Sequence, residues 1–213
     1  MFERFPKLHS PFKREYKDNT NYYLVTDEIK DDYKWVFEND DVKAVEKLDG
    51  ENVCVYINEE GSISNVYTRE GRNVTPFGEK NLSYVIKGVL DAYRRGWLDD
   101  LENDKLHYGE LIGPSVKQNP YDWNEHIWVP FQYLRENMSY KSWGKYPQDF
   151  ESISQWFKSG LKPLFYMYMH NISFENEPDD AYVEGIIFVH PDGRKAKLRR
   201  NMFEWYNGSD SYE

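Results

Sequence analysis

Val45-Glu46-Lys47-Leu48-Asp49-Gly50-Glu51-Asn52-Val53 is the stretch from which the rest of the chain is read. A lysine stands two residues ahead of an Asp-Gly turn, and the turn delivers the chain into an apolar alternation at Val53, Val55 and Ile57. Period-two alternation marks a strand with one face buried. The Glu59-Glu60-Gly61-Ser62 turn follows, and Ile63 to Thr68 returns as the hairpin partner. Further strands are predicted at 105–112, 127–134 and 162–169. A last hairpin pairs Tyr182–Val189 with Arg194–Arg200 across His190-Pro191-Asp192-Gly193, where proline presets φ and glycine accepts a left-handed conformation.

Helical spacing is clearest between Asn81 and Arg95. Leu82, Val85, Ile86, Val89, Leu90 and Tyr93 recur at intervals of three and four before Gly96, which predicts an amphipathic helix with those residues on its core face. A shorter helix is predicted from Asp149 to Ser159, with Phe150, Ile153 and Phe157 inward and Gly160 as its stop. Antiparallel strands covered by a few helices make an α+β architecture. No repeat, low-complexity tract or Gly/Ser linker divides residues 1–213, so one domain is expected.

Hydrophobic residues make up 39% of the chain and aromatic residues 17%, enough large side chains for a real core. The single cysteine, Cys54, cannot form an internal disulfide and sits in the apolar alternation, which suits a reducing compartment. The N-terminus lacks a signal-peptide pattern, and no apolar run approaches the ~20 residues that span a bilayer, so a soluble cytoplasmic protein is expected. The five N-x-S/T triplets, beginning at Asn73, Asn81, Asn137, Asn171 and Asn207, therefore carry no glycosylation inference.

A net charge of −10 argues against broad electrostatic binding of nucleic acid, because phosphate contacts supply most non-specific affinity. Any polynucleotide must be held locally. The positive charge available lies in Arg194, Lys195, Lys197, Arg199 and Arg200, with a second group at Lys7, Lys13 and Arg14. Acid pairs such as Asp31-Asp32 and Asp99-Asp100 read as solvated loop surface. His9, His107, His126, His170 and His190 have no metal or triad spacing with one another.

Alone, a lysine before an Asp-Gly turn reads as an exposed residue entering a hairpin. The segments downstream change that. Val66-Tyr67-Thr68-Arg69-Glu70-Gly71 puts an arginine at a strand end, and Tyr108-Gly109-Glu110-Leu111-Ile112-Gly113 sets a carboxylate in an apolar strand. Glu184-Gly185-Ile186-Ile187-Phe188 does so again, and Lys195, Lys197 and Arg199 alternate along the closing strand. Carboxylates on an inward strand face need positive or hydroxylated partners, because an unpaired buried charge is costly. A nucleotide and its metal would meet Glu110 and Glu184.

In this order and spacing the segments resemble the ATP-dependent RNA ligases, members of the covalent nucleotidyltransferase superfamily that also holds DNA ligases and mRNA capping enzymes. The resemblance covers nearly the whole chain. The runs Phe5-Pro6-Lys7-Leu8-His9-Ser10-Pro11-Phe12-Lys13-Arg14 and Gly109-Glu110-Leu111-Ile112-Gly113-Pro114-Ser115 are similar to phage and bacterial members. The implied fold is the adenylyltransferase (ATP-grasp-like nucleotidyltransferase) domain. Only thirteen residues follow Arg200, so no C-terminal OB fold is expected.

The resemblance implies that Lys47 attacks the α-phosphate of ATP and carries AMP, with Mg²⁺ or Mn²⁺ as the divalent ion. It implies that Lys197 and Arg199, and as an alternative Lys195, neutralise phosphate charge. Glu184 would bind the metal directly or through water, and Glu110 would accept from ribose hydroxyls. Arg69 would contact ribose or the acceptor strand, Asp49 and Gly50 would shape the turn beside the phosphate, and Glu46 and Asn52 would line the nucleotide pocket. Phe131, on the strand Ile127-Trp128-Val129-Pro130-Phe131-Gln132, is the aromatic expected to stack on adenine; many relatives carry Asp where this chain has Gln132. The partners implied are RNA ends or a nicked duplex with a 5′-phosphate and a 3′-hydroxyl, bound by a monomer in the cytoplasm, or in the host cytoplasm if a phage encodes it. A minimal DNA ligase, a guanylyltransferase and a non-catalytic nucleotide- or nucleic-acid-binding module share parts of this pattern and stay open; capping enzymes usually show Arg where this chain has Asn52.

Overall fold

The computed structural model describes residues 2–17, 22–74, 82–145, 148–176 and 183–206. In chain order the elements are β1 Phe12–Lys17, β2 Tyr22–Ile29, α1 Trp35–Glu38, β3 Lys43–Lys47, β4 Glu51–Ile57, β5 Ile63–Thr68, α2 Ser83–Arg94, β6 Lys105–Ile112, β7 Ile127–Pro130, α3 Phe131–Asn137, α4 Phe150–Ser159, α5 Leu164–Met169, β8 Gly185–Val189 and β9 Lys195–Arg199. Every strand pairing is antiparallel. The fold is therefore α+β, as the alternating segments predict. Among the described residues no helix is long and apolar enough to cross a membrane. Residues Asn81 and Tyr182, the expected starts of a helix and a strand, lie outside the described residues.

The chain forms two compact units, one from Met1–Pro6 and Asp49–Asn137, the other from Lys7–Leu48 and Met138–Glu213. The first is built on a four-stranded sheet in the order β5-β4-β6-β7. Val53, Val55 and Ile57 are buried as their alternation demands, and Cys54 between them is buried as well.

Helix α2 packs on β7 with the predicted Val85 and Val89 inward, but through a face turned away from Leu90 and Tyr93. Val85, Gly88, Val89 and Ala92 are buried, whereas Leu90 and Tyr93 are exposed. The reason is close approach. A Cβ at Gly88 would collide with the Leu111 side chain and come within 3.3 Å of the Ile127 carbonyl carbon and the Trp128 amide nitrogen. Small residues let the helix settle onto the strand backbone, and that turns Tyr93 outward.

Two predicted strands are corrected. The stretch 127–134 is extended only to Pro130, and Phe131 opens helix α3, which buries Leu134. Proline has no amide to extend a ladder, and the Gln, Leu, Arg and Glu that follow are good helix formers. Within the stretch 162–169, Leu164–Met169 is helix α5, with Phe165, Met167 and Met169 buried. Its alternating apolar residues mimic a strand, but the Phe165 amide is satisfied by the Glu46 carboxylate at 2.8 Å rather than by a neighbouring strand.

The second unit holds the sheet β3-β8-β9 and the hairpin β1-β2. Even-numbered residues of its sheet, Ala44, Ile186, Phe188, Ala196 and Leu198, face a core of Trp143, Trp156, Phe157 and Phe203. Helix α4 begins as predicted, with the Asp149 carboxylate accepting the Ser152 amide at 2.9 Å, and buries Ile153, Trp156 and Phe157 against that core.

The packing of α2 sets two expectations measurable by thermal or denaturant unfolding. Gly88→Val should cost about 1–3 kcal/mol through overpacking, whereas Tyr93→Ala, on the exposed face, should stay within about 0.5 kcal/mol.

Candidate active site

The alternation that drives even-numbered residues of β3, β8 and β9 into the core brings the odd-numbered ones together on the opposite face. Lys47 pairs across the sheet with Gly185, and Gly185 with Arg199; Val45, Ile187 and Lys197 form the next row. Glu184 stands immediately before β8 and is 9% exposed. The Lys47 ammonium donates to Glu184 Oε2 and, at 3.2 Å, to the Leu48 carbonyl. Arg199 Nη1 lies 3.6 Å from Glu184 Oε1, while its buried Nε has no hydrogen-bond partner.

Lys197 completes the cluster. Burial first, then repulsion from Arg199 and Lys47, lowers its ammonium to about 8, with Glu184 pulling the other way and Lys7 adding to the repulsion. The Lys197 amide donates to the His9 carbonyl at 2.9 Å, so the outer edge of β9 is held by the segment preceding β1. One carboxylate thus faces Lys47, Lys197 and Arg199 in a chain whose net charge is −10. An oxyanion with several acceptor oxygens would balance this surplus charge and satisfy the orphan Arg199 Nε–H. Lys195 lies further along β9, its ammonium donating to the Gly193 carbonyl at the turn.

Glu46 occupies the other side of the same strand. It is 1% exposed, its Oε2 accepts the Phe165 amide, and its Oε1 has no partner. Burial pushes its carboxyl up to about 8, against the opposing effect of the Phe165 and Leu164 amides.

The other unit carries the rest of the predicted residues. The Asp49 amide donates to the Tyr121 hydroxyl at 2.6 Å, and the Gly50 amide to Glu110 Oε1 at 3.2 Å. Glycine is required at position 50, since a Cβ would strike the Leu111 carbonyl oxygen and lie 2.8 Å from Glu110 Cγ. Asn52 Nδ2 donates to the Gly109 carbonyl at 3.3 Å, and its buried Oδ1 is left without a donor. Arg69 is exposed in the turn after β5. Phe131, expected on a strand, sits at the start of α3 with its ring edge-on to Phe5 at 5.0 Å.

Tyr121 is a residue the sequence did not single out. It is 1% exposed on a loop in which Ser115, Lys117, Gln118, Asn119 and Asp122 all have positive φ. Within Asn119-Pro120-Tyr121-Asp122 it reads as an ordinary turn residue, and only the folded loop aims its hydroxyl at the Asp49 amide.

The family model described as RNA ligase matches residues 40–203, most of the chain. The chain belongs to the RNA ligase family. Solved structures of the Naegleria gruberi RNA ligase share its fold. One point mutant with ATP and Mn aligns at TM-score 0.50 and 16% identity over 79% of this chain and 52% of that one. A second does so at 0.50 and 16%, over 91% and 60%, and a third at 0.50 and 15%, over 93% and 61%. The chain therefore spans little more than half the length of these RNA ligases. No curated protein sequence matches it.

The Glu46 carboxyl supplies a pH test of this part of the RNA ligase fold. Folded, it keeps its proton to about pH 8; unfolded, it releases it near the ordinary value of 4.5. The stability it contributes is thus full below about pH 4.5 and declines as pH rises through about 8, by on the order of a few kcal/mol. In Glu46→Gln this decline should disappear from a series of melting curves between those limits.

Proposed function

We propose that the chain is an ATP-dependent RNA ligase in which Lys47 forms a covalent lysyl-AMP. The observation that carries the reading is the row Lys47, Gly185, Arg199, with Glu184 bound to both cations and Lys197 beside them. A nucleophilic amine is worth placing among cations when the atom it attacks belongs to an anion. The surplus charge and the orphan Arg199 Nε–H suit a polyphosphate, and their role is to hold it and stabilise the charge that develops on transfer.

In the first step Lys47 Nζ bonds to the α-phosphorus, the bond from that phosphorus to the bridging oxygen breaks, and pyrophosphate leaves. The amine attacks as the free base, so its ammonium proton must first depart, and Glu184 is the carboxylate in contact with it. Lys197 and Arg199 offset negative charge on the α-phosphate and the leaving group. AMP then passes from Lys47 to a 5′-phosphate end of RNA, and a 3′-hydroxyl displaces AMP to seal the strand.

Among the described residues no three His, Cys, Asp or Glu side chains gather to hold a metal. Glu184 fits a metal of another kind, since Mg²⁺ keeps several waters and binds through one or two carboxylates plus substrate phosphates. Mg²⁺ or Mn²⁺ held by Glu184 would neutralise phosphate charge. The Naegleria gruberi RNA ligase mutants with ATP and Mn support ATP and a divalent ion as cofactors.

Gly50, Glu110 and Asn52 are assigned to the nucleotide. The orphan Asn52 Oδ1 needs a donor, and Glu110, fixed by the Gly50 amide, is assigned to ribose hydroxyls. Residues 1–213 serve as one adenylyltransferase domain in this reading. The reading extends to a monomeric cytoplasmic enzyme of RNA repair: the runs at Phe5–Arg14 and Gly109–Ser115 resemble phage and bacterial members, and the buried free Cys54 suits a reducing compartment.

Incubation with α-labelled ATP and Mg²⁺ should yield an acid-labile protein-AMP adduct. Lys47→Ala should abolish it, and Lys197→Ala or Arg199→Ala should slow its formation by roughly 10²–10³-fold. Equal labelling of Lys47→Ala would sink the mechanism.

A further inference from the structure

The β1-β2 hairpin carries a feature that adenylylation does not use. Tyr16 and Tyr23 are directly opposite in its register, so they share a face, with ring centroids 5.2 Å apart. They are 49% and 56% exposed. Arg14, two residues before Tyr16, folds over the Tyr23 ring with its guanidinium carbon 5.6 Å from the centroid, and donates from Nε and Nη2 to the Tyr23 carbonyl at 3.0 and 2.6 Å. Arg14, Tyr23 and Tyr16 therefore cluster as flat groups on one exposed face, the two rings tilted 57° to one another, so that each keeps an open face toward solvent. Two large aromatic rings left in water contribute little to folding, whereas packing both inward would bury substantial area.

The cluster is also placed electrostatically. Among the described residues no carboxylate pairs with Arg14; burial first, then repulsion from Arg199, the residue ion-paired with Glu184 beside Lys47, lowers its guanidinium. Lys30, whose ammonium is bonded to the Ser10 carbonyl, feels Arg14 in turn. Within this unit a line of positive charge thus runs from Lys47 and Lys197 through Arg199 to Arg14, and continues as Tyr23 and Tyr16. Among the described residues of the hairpin the negative charges are Glu15, Asp27 and Glu28, the last held by Lys13. In a chain of net charge −10 the combination of a local cationic track and exposed aromatic faces is the chemistry that holds unpaired nucleotides.

We infer that this hairpin face is a docking platform for single-stranded RNA. The phosphates follow Arg199 and Arg14, and the unpaired bases next to the 5′-phosphate stack on Tyr23 and Tyr16. The inference rests on the ligase reading for the identity of the strand, but its test does not. Stacking accepts any base, so the platform supplies affinity and direction rather than sequence preference.

The test measures binding of a short 5′-phosphorylated RNA oligonucleotide, fluorescent at its 3′ end, by anisotropy with the full chain. The double variant Tyr16→Ala/Tyr23→Ala should bind roughly tenfold more weakly or worse, and Tyr16→Phe/Tyr23→Phe, which keeps both rings, within about twofold of the unaltered protein. An oligonucleotide made abasic at its 5′-terminal positions should bind the unaltered protein as weakly as the intact RNA binds the alanine variant. The same abasic RNA should lose nothing further with that variant, because both changes remove one interaction. Unchanged affinity in the alanine variant, or losses that simply add, would overturn the platform. Lysyl-AMP formation from labelled ATP needs no RNA and reports separately. Loss of label in the unaltered protein removes the ligase reading, whereas label with tyrosine-independent RNA affinity removes only the platform.

Discussion

The ion pair between Lys47 and Glu184 is the interaction around which the second unit is arranged. It joins the last residue of β3 to the residue preceding β8, and both are largely withdrawn from water. A carboxylate so placed is costly alone, and here it is shared between an ammonium and the Arg199 guanidinium. The pair depends on the register of three strands. A slip of one residue would send Lys47, Lys197 and Arg199 toward Trp143, Trp156 and Phe157, which the core does not admit. The hydrophobic pattern on one face therefore enforces the constellation on the other.

Strand β3 makes the same point within two residues. Glu46 and Lys47 are adjacent, ionisable and opposite in fate. Glu46 turns inward, satisfies the Phe165 amide at the start of α5 and is held neutral by burial to about pH 8. Lys47 turns outward to Glu184. The inward glutamate ties the strand to α5, so a buried polar group supports the geometry of the neighbouring Lys47.

The chain carries a net charge of −10, yet a few of its cations are concentrated locally. Sheet pairing gathers Lys47 from β3 with Lys197 and Arg199 from β9, and Arg14, on the separate β1-β2 hairpin of the same unit, adds to their field. The first unit holds its own polar groups in fixed positions, with Gly50 pinned to Glu110 and Asp49 to Tyr121. Each depends on a local backbone constraint, the absent Cβ at Gly50 and the left-handed residues around Tyr121.

The period-two runs by themselves determined β4, β5, β6, β8 and β9, because alternation reports directly which face a strand buries. The Asp149 cap and the helix it starts were legible for the same local reason, as were Lys47, Glu184, Lys197 and Arg199 as ordered motifs. What the tertiary structure decided was everything set by a neighbour. It made 164–169 a helix with its first amides met by Glu46, ended β7 at Pro130, and let α2 approach through Gly88 and Ala92 instead of Leu90 and Tyr93. It also drew Tyr121 to Asp49 and aligned Tyr16 with Tyr23. Period and capping are properties of consecutive residues and can be read along the chain, whereas close approach and hydrogen-bond satisfaction across long separations exist only once the partner arrives.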